Sequence, residues 1–121
     1  MSEVPTLMEL FDGFCQAFTD KDVPKVMRLF ADDASMVAPG LSISGKQEIR
    51  KFFESEAPKI EDYRIEKKSV IEKGNEIAVE WHVRHKTKPT GKQIDVNGVT
   101  LITAEGGLIK KLRDYADFPA P

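Results

Sequence analysis

The chain predicts an α+β fold in which three N-terminal helices pack on a curved, mainly antiparallel sheet. Two observations carry this expectation. Through Phe53 the apolar residues recur at three- and four-residue steps, the period of a helix face, whereas from Asp62 onward they alternate with polar residues, the period of a strand. Gly74-Asn75, Pro89-Thr90-Gly91 and Gly106-Gly107 then divide the second half into hairpin-connected runs. Helices followed by hairpin strands make a layered α+β architecture.

Leu7, Leu10, Phe11, Phe14 and Phe18 line one face of a first helix that begins near Pro5. Asp22 caps a second, shorter helix, with Pro24 tolerated in its first turn and Val26, Leu29 and Phe30 facing inward. Asp32-Asp33 reads as the turn that ends it, rather than as a catalytic or metal-binding pair. Ser44 followed by Gln47 reads as a capping box for a third helix, which carries Ile49, Phe52 and Phe53 inward and stops before Pro58. Four strands are expected after it, over residues 62–73, 76–88, 92–104 and 108–116, with Gly98 marking a bulge in the third.

Successive strand residues point to opposite faces, so parity selects the side chains on the concave side. Ile77, Val79, Trp81, Val83 and His85 share one face and are assigned inward, while Ala78, Glu80, His82 and Arg84 share the other. Leu108, Leu112 and Ala116 are assigned inward on the last strand, and this parity brings Lys110 to the rim and Asp114 into the interior. On the 92–104 strand parity leaves two sets open: Asn97, Val99 and Leu101, or Ile94, Val96 and Ile102. His82 and His85, three positions apart on one strand, cannot chelate together.

With 121 residues the chain fits a single domain, expected over residues 5–118, able to bury roughly two thirds of its unfolded surface. Its 18 basic and 20 acidic residues leave a formal charge of −2 without like-charge blocks, which argues against a nucleic-acid partner. The lone cysteine excludes an internal disulfide and a thiolate-rich metal site, and no signal-peptide pattern opens the sequence, so a reducing cytoplasm is the expected location. No apolar run approaches the roughly 18 positions of a membrane span. Neither a phosphate-binding glycine loop nor a metal set is present, and no cofactor is expected.

The run Leu29-Phe30-Ala31-Asp32-Asp33-Ala34-Ser35-Met36-Val37-Ala38-Pro39, continuing into Ser44-Gly45-Lys46-Gln47-Glu48-Ile49-Arg50-Lys51-Phe52-Phe53, resembles the opening half of the nuclear transport factor two-like superfamily. Ketosteroid isomerases, SnoaL-like polyketide cyclases and limonene epoxide hydrolases belong to it. The resemblance implies a cone-shaped, cystatin-like α+β barrel enclosing an apolar pocket, and family habit implies a homodimer. The isomerase family's catalytic positions fall on Ala38, Phe14 and Val99, all apolar, so steroid isomerisation lacks its base and its oxyanion donors here. The second half is more similar to the SnoaL-like and epoxide hydrolase branches. Pro89-Thr90-Gly91-Lys92 resembles the cyclases' turn before the third long strand, and Leu112-Arg113-Asp114-Tyr115-Ala116-Asp117 resembles their closing motif, whose aspartate carries protons. The epoxide hydrolases add an arginine and a second aspartate on a strand that here reads Trp81 and Val83, so that triad is incomplete. The family alignment also favours Asn97, Val99 and Leu101 as the inward set of the third strand.

The expected site therefore has Asp114 as its catalytic general acid or base. Phe14, Phe18, Met36, Ala38, Phe52, Trp81, Val83, His85, Asn97, Val99 and Leu112 are the expected ligand-binding residues, and the metal set is empty. Burial in an apolar cone raises a carboxyl pKa into the range useful for proton transfer. The structural alternative is that Arg113, Lys110 or another neighbour pairs with Asp114. His85 is either a ligand contact or an idle, partly solvated histidine, and the aromatic residues either clamp a ring or fill the core. Asn97 offers a donor and an acceptor to a ligand, or holds the bulge. Cys15 is assigned no chemistry. Two functions follow: a proton-transfer enzyme of isomerase, cyclase or hydrolase type acting on a hydrophobic cyclic or carbonyl compound, or a non-catalytic ligand-binding or dimeric interaction module.

Overall fold

The computed structural model describes residues 4–117, so the expected domain end at Phe118 lies outside the described residues. Helix α1 (Leu7–Thr19) opens with a capping box. The Thr6 hydroxyl accepts from the Glu9 N–H at 3.1 Å, and the Glu9 carboxylate accepts from the Thr6 N–H at 2.8 Å. Asp22 caps α2 (Val23–Met27) by accepting from the Lys25 N–H at 3.1 Å, with Pro24 in the first turn as expected.

After α2 the structure departs from the sequence-based reading. Two strands, β1 (Phe30–Ala38) and β2 (Leu41–Ser44), precede helix α3 (Lys46–Glu56). Asp32 and Asp33 are strand residues rather than a turn; both are exposed, with Asp33 paired to Lys110 and Asp32 within 4.0 Å of Lys46. Ser44 does not cap α3, because it is held in β2 opposite Ser35. Gly45 takes the N-cap position instead, without a side-chain cap. Its φ of +91° lies where a Cβ would be strained, and its N–H donates to the Ala34 carbonyl at 2.8 Å.

A short 3₁₀ turn (Ala57–Lys59) leads into β3 (Ile60–Lys73), β4 (Glu76–Thr87), β5 (Lys92–Glu105) and β6 (Leu108–Ala116). The six strands form one sheet in the order β2-β1-β6-β5-β4-β3, antiparallel throughout except for the β1–β6 pair. Register shifts interrupt β3–β4 twice, β5–β6 once and β1–β6 once, and bulges of this kind bend a sheet. The curved sheet wraps the helices, whose Leu10, Phe11, Val26, Ile49 and Phe53 join Ile77, Ile102, Ile109 and Leu112 in one core.

Three expectations for the strands are corrected by this geometry. On β5 the buried set is Val96, Thr100 and Ile102, so Asn97, Val99 and Leu101 lie on the other face. Gly98 is no bulge in the β4–β5 ladder: it pairs in register with Trp81, and a Cβ there would lie 2.5 Å from the indole. On β6 the shift between Thr103 and Ala104 changes the parity, burying Ile109 fully and leaving Leu108 37% exposed.

Candidate functional site

A cavity of about 380 Å³ opens between the helices and the concave face of the sheet. From α1, residues Phe11, Phe14, Cys15 and Phe18 face it, because a helix presents positions three and four apart on one side. The end of β1 adds Met36 and Ala38, and α3 adds Phe52 and Phe53. The inward parity of the sheet supplies Tyr63 and Ile65 from β3, Trp81, Val83 and His85 from β4, Val96 and Thr100 from β5, and Asp114 and Ala116 from β6. Glu56, Lys59, Thr87 and Lys88 also border the space.

The walls are predominantly aromatic. Phe14 and Phe18 stack at 6.4 Å between ring centroids, Phe18 meets the edge of Tyr63 at 5.0 Å, and Tyr63 stacks on His85 at 6.2 Å. These contacts fix the rings that define the cavity's shape.

Against this wall stands a directional hydrogen-bond chain. Trp81 Nε1–H donates to Thr100 Oγ1 at 2.7 Å, and Thr100 Oγ1–H donates to Asp114 Oδ1 at 2.6 Å. An indole only donates, so the threonine lone pair is occupied and its hydroxyl proton is turned toward the carboxylate. Oδ1 is thereby held as an acceptor. Oδ2 receives no hydrogen bond from the described residues and is left for whatever fills the cavity.

Burial pushes the Asp114 carboxyl up to about 6, partly offset by the Thr100 hydrogen bond, which favours the ionised form. The structural alternative, a neighbouring cation pairing with Asp114, does not occur among the described residues. Lys110 pairs with Asp33, and Arg113, one residue away on the opposite face, lies 3.8 Å from Glu76. Burial likewise pushes the Cys15 thiol up to about 12, with Asp12 and Asp114 adding to it, and raises the Tyr63 phenol above its ordinary range. Both groups stay protonated near neutrality.

The expected site residues divide by position. Asp114, Phe14, Phe18, Met36, Ala38, Phe52, Trp81, Val83 and His85 all border the cavity. Asn97 and Val99 do not, for the parity reason given above. Leu112 points inward but is fully buried, paired with Met36 and Ile102 in the adjoining strands, where it belongs to the packed core. The other face of β4 carries His82, which pairs with Asp95 of β5.

Thr100 and Tyr63 are cavity residues that the sequence reading does not name, and Cys15, assigned no chemistry there, also borders the cavity. Thr100 belongs to the alternating series Ile94, Val96 and Ile102, and that apolar parity is the signal in the sequence that marks it as inward. Tyr63 alternates with Ile65 at the start of β3, and Cys15 sits four residues after Phe11 on the apolar face of α1. Both signals were legible. No group of three or more His, Cys, Asp or Glu side chains able to hold a metal occurs among the described residues. No helix among them is long and apolar enough to cross a membrane.

Comparison with known proteins agrees with this architecture. Residues 11–112 match the SnoaL-like domain family. A protein of ketosteroid isomerase-like fold from Catenulispora acidiphila, solved in complex with trimethylamine, superposes with a TM-score of 0.80 at 20% identity, over 91% of this chain and 86% of that one. SalBIII, an epoxide hydrolase/cyclase-like enzyme with a role in pyran ring formation in the polyether salinomycin, gives 0.79 at 19% identity, over 91% and 89%. A Mycobacterium tuberculosis protein in complex with estradiol-17β-hemisuccinate gives 0.78 at 21% identity, over 93% and 94%. Among curated proteins none matches the chain. At these identities the solved structures speak for the fold, and the match across most of the sequence speaks for descent: the chain belongs to the SnoaL-like domain family, on the nuclear transport factor two-like, ketosteroid isomerase-like scaffold.

Proposed function

We propose that the protein binds a hydrophobic cyclic or carbonyl compound in its cavity and moves a proton on it with Asp114, without a cofactor. One observation carries this reading. A carboxyl group with a pKa near about 6 stands in an aromatic cavity, one oxygen held by Thr100 and the other unengaged. Near neutral pH such a group exchanges a proton with little driving force wasted in either direction. As a base, Oδ2 takes a proton from an acidified C–H or O–H of the guest; as an acid, it returns one to carbon or oxygen. Thr100 keeps Oδ1 out of that exchange, so the arriving proton has one oxygen to occupy. The SalBIII and estradiol-hemisuccinate structures support the reading by scaffold alone, as cases where a ring compound and this fold meet.

The test is Asp114→Asn in a substrate screen. Turnover should fall by about 10²-fold or more, the usual size of a general acid–base contribution, while the melting temperature is retained. Unchanged rates would remove Asp114 from the mechanism.

A second reading is a binding module without catalysis. It is favoured by Phe14 and Ala38, apolar side chains bordering the cavity at the positions where the isomerases carry their tyrosine and base. A guest that raises the melting temperature but is recovered unchanged, in wild type and Asp114→Asn alike, supports it. In either case we propose one domain over residues 5–118, acting as a homodimer through the outer face of the sheet, where Glu80, Arg84 and Lys111 are exposed.

A further inference from the structure

We infer that the cyclic or carbonyl compound taken up here also carries a basic or quaternary nitrogen, with this cationic head beside Asp114 and the apolar part against Phe14, Phe18, Tyr63 and Trp81. The inference deepens the reading of this cavity as a ligand site and rests on it.

The charge balance of the interior favours a cation. Cys15 and Tyr63 face the cavity from α1 and β3, and both are held neutral by burial. His85 faces it from β4, with its Nδ1 3.4 Å from the Lys86 carbonyl. The charged groups at the border are already matched: Lys59 lies 3.8 Å from Glu56, and Lys88 lies 3.2 Å from Glu61. Lys67, near α1, contacts Asp12 at 2.8 Å. Asp114 is therefore ionised at and above neutral pH without a cation from any described residue. An unpaired carboxylate in an apolar setting is costly, and a cation supplied by a guest removes that cost.

The wall itself favours one too. Aromatic faces are negative at their centres and attract ammonium groups, most of all those whose hydration is weak. Aromatic rings from α1, β3 and β4 converge on the same space as the carboxylate, so one cation can meet both kinds of partner. A neutral isostere gains the same apolar burial while leaving Oδ2 without a counter-charge.

The sign of the pH dependence follows. Below about pH 6 Asp114 is protonated and the attraction is lost, so affinity for a permanent cation should rise as pH climbs through that value and then level off.

The test uses benzyltrimethylammonium and its neutral isostere neopentylbenzene, with the fluorescence of Trp81, the single tryptophan, as reporter. At pH 7.5 the cation should bind about tenfold tighter or more, a difference worth about 1.4 kcal/mol. The preference should fall severalfold in Asp114→Asn, leaving only what the aromatic wall supplies, and shrink by roughly tenfold in wild-type protein at pH 5, a comparison that needs no variant to fold. Equal affinity of the two compounds, or a preference undiminished in Asp114→Asn, overturns the inference, because the carboxylate then contributes nothing to the choice of guest. Binding of neither, together with failure of every ring compound to shift the melting temperature, overturns both readings.

Discussion

At the scale of single residues, Thr100 connects the packing of Trp81 to the chemistry of Asp114. Thr100→Val keeps the shape but deletes the donor to Oδ1 and the acceptor for the indole. The Asp114 pKa should then rise above about 6, because a hydrogen bond to the charged form is lost. Stability should fall by about 1–3 kcal/mol, the usual cost of a buried donor left unpaired. Thr100→Ser should restore both, as read by carboxyl NMR titration and chemical denaturation. Asp114 also predicts a pH dependence of folding. Its native pKa exceeds the ordinary value of 3.8, so the native state holds a proton that the unfolded chain has released. The contribution is present at low pH and is lost as pH rises through about 6, by up to about 3 kcal/mol. Subtracting the stability profile of Asp114→Asn from that of the wild type should isolate this fall; a flat difference would contradict it.

Among the secondary-structure elements, the β4–β5 ladder positions the site, and Gly98 is its tightest point. A Cβ at that position would lie 2.5 Å from the Trp81 ring and 2.6 Å from the Tyr115 carbonyl oxygen, so the indole or the backbone must move. Gly98→Ala should cost about 1–3 kcal/mol by overpacking and weaken the Trp81–Thr100 bond. A denaturation midpoint equal to wild type would contradict that. The same elements show what the sequence disclosed. The helix-to-strand change, the three hairpin turns and the inward face of β4 were legible because long periodic runs leave little ambiguity. β1 and β2 were not, since exposed Asp32 and Asp33 break the apolar alternation that marks a strand, and β2 is a short edge strand of four residues. Ser44 spelled a capping box, but a residue committed to a strand pair cannot also turn its hydroxyl onto a helix end. On β6 a bulge that no local motif announces exchanged Leu108 for Ile109.

For the whole molecule, a mixed, bulged sheet curls round three helices and leaves a space that the core side chains do not fill. Asp114 was legible as an inward carboxylate because β6 parity is unbroken between Leu112 and Ala116. Its hydrogen-bond partner was not, because β5 carries apolar residues on both faces and the family resemblance points to the face opposite Thr100. Light scattering at micromolar concentration should return twice the 13.6 kDa chain mass if the outer face of the sheet forms the proposed dimer; a monomer mass would reject it. The proposed chemistry depends on Asp114 being a raised, accessible carboxyl that meets the guest. A ¹³C titration of its side-chain carboxyl, without and with a saturating ring compound identified by thermal shift, tests this most directly. The midpoint should lie at about 6 in the free protein and move when the cavity is occupied. A midpoint at the ordinary carboxylate value of 3.8, indifferent to the guest, would contradict it.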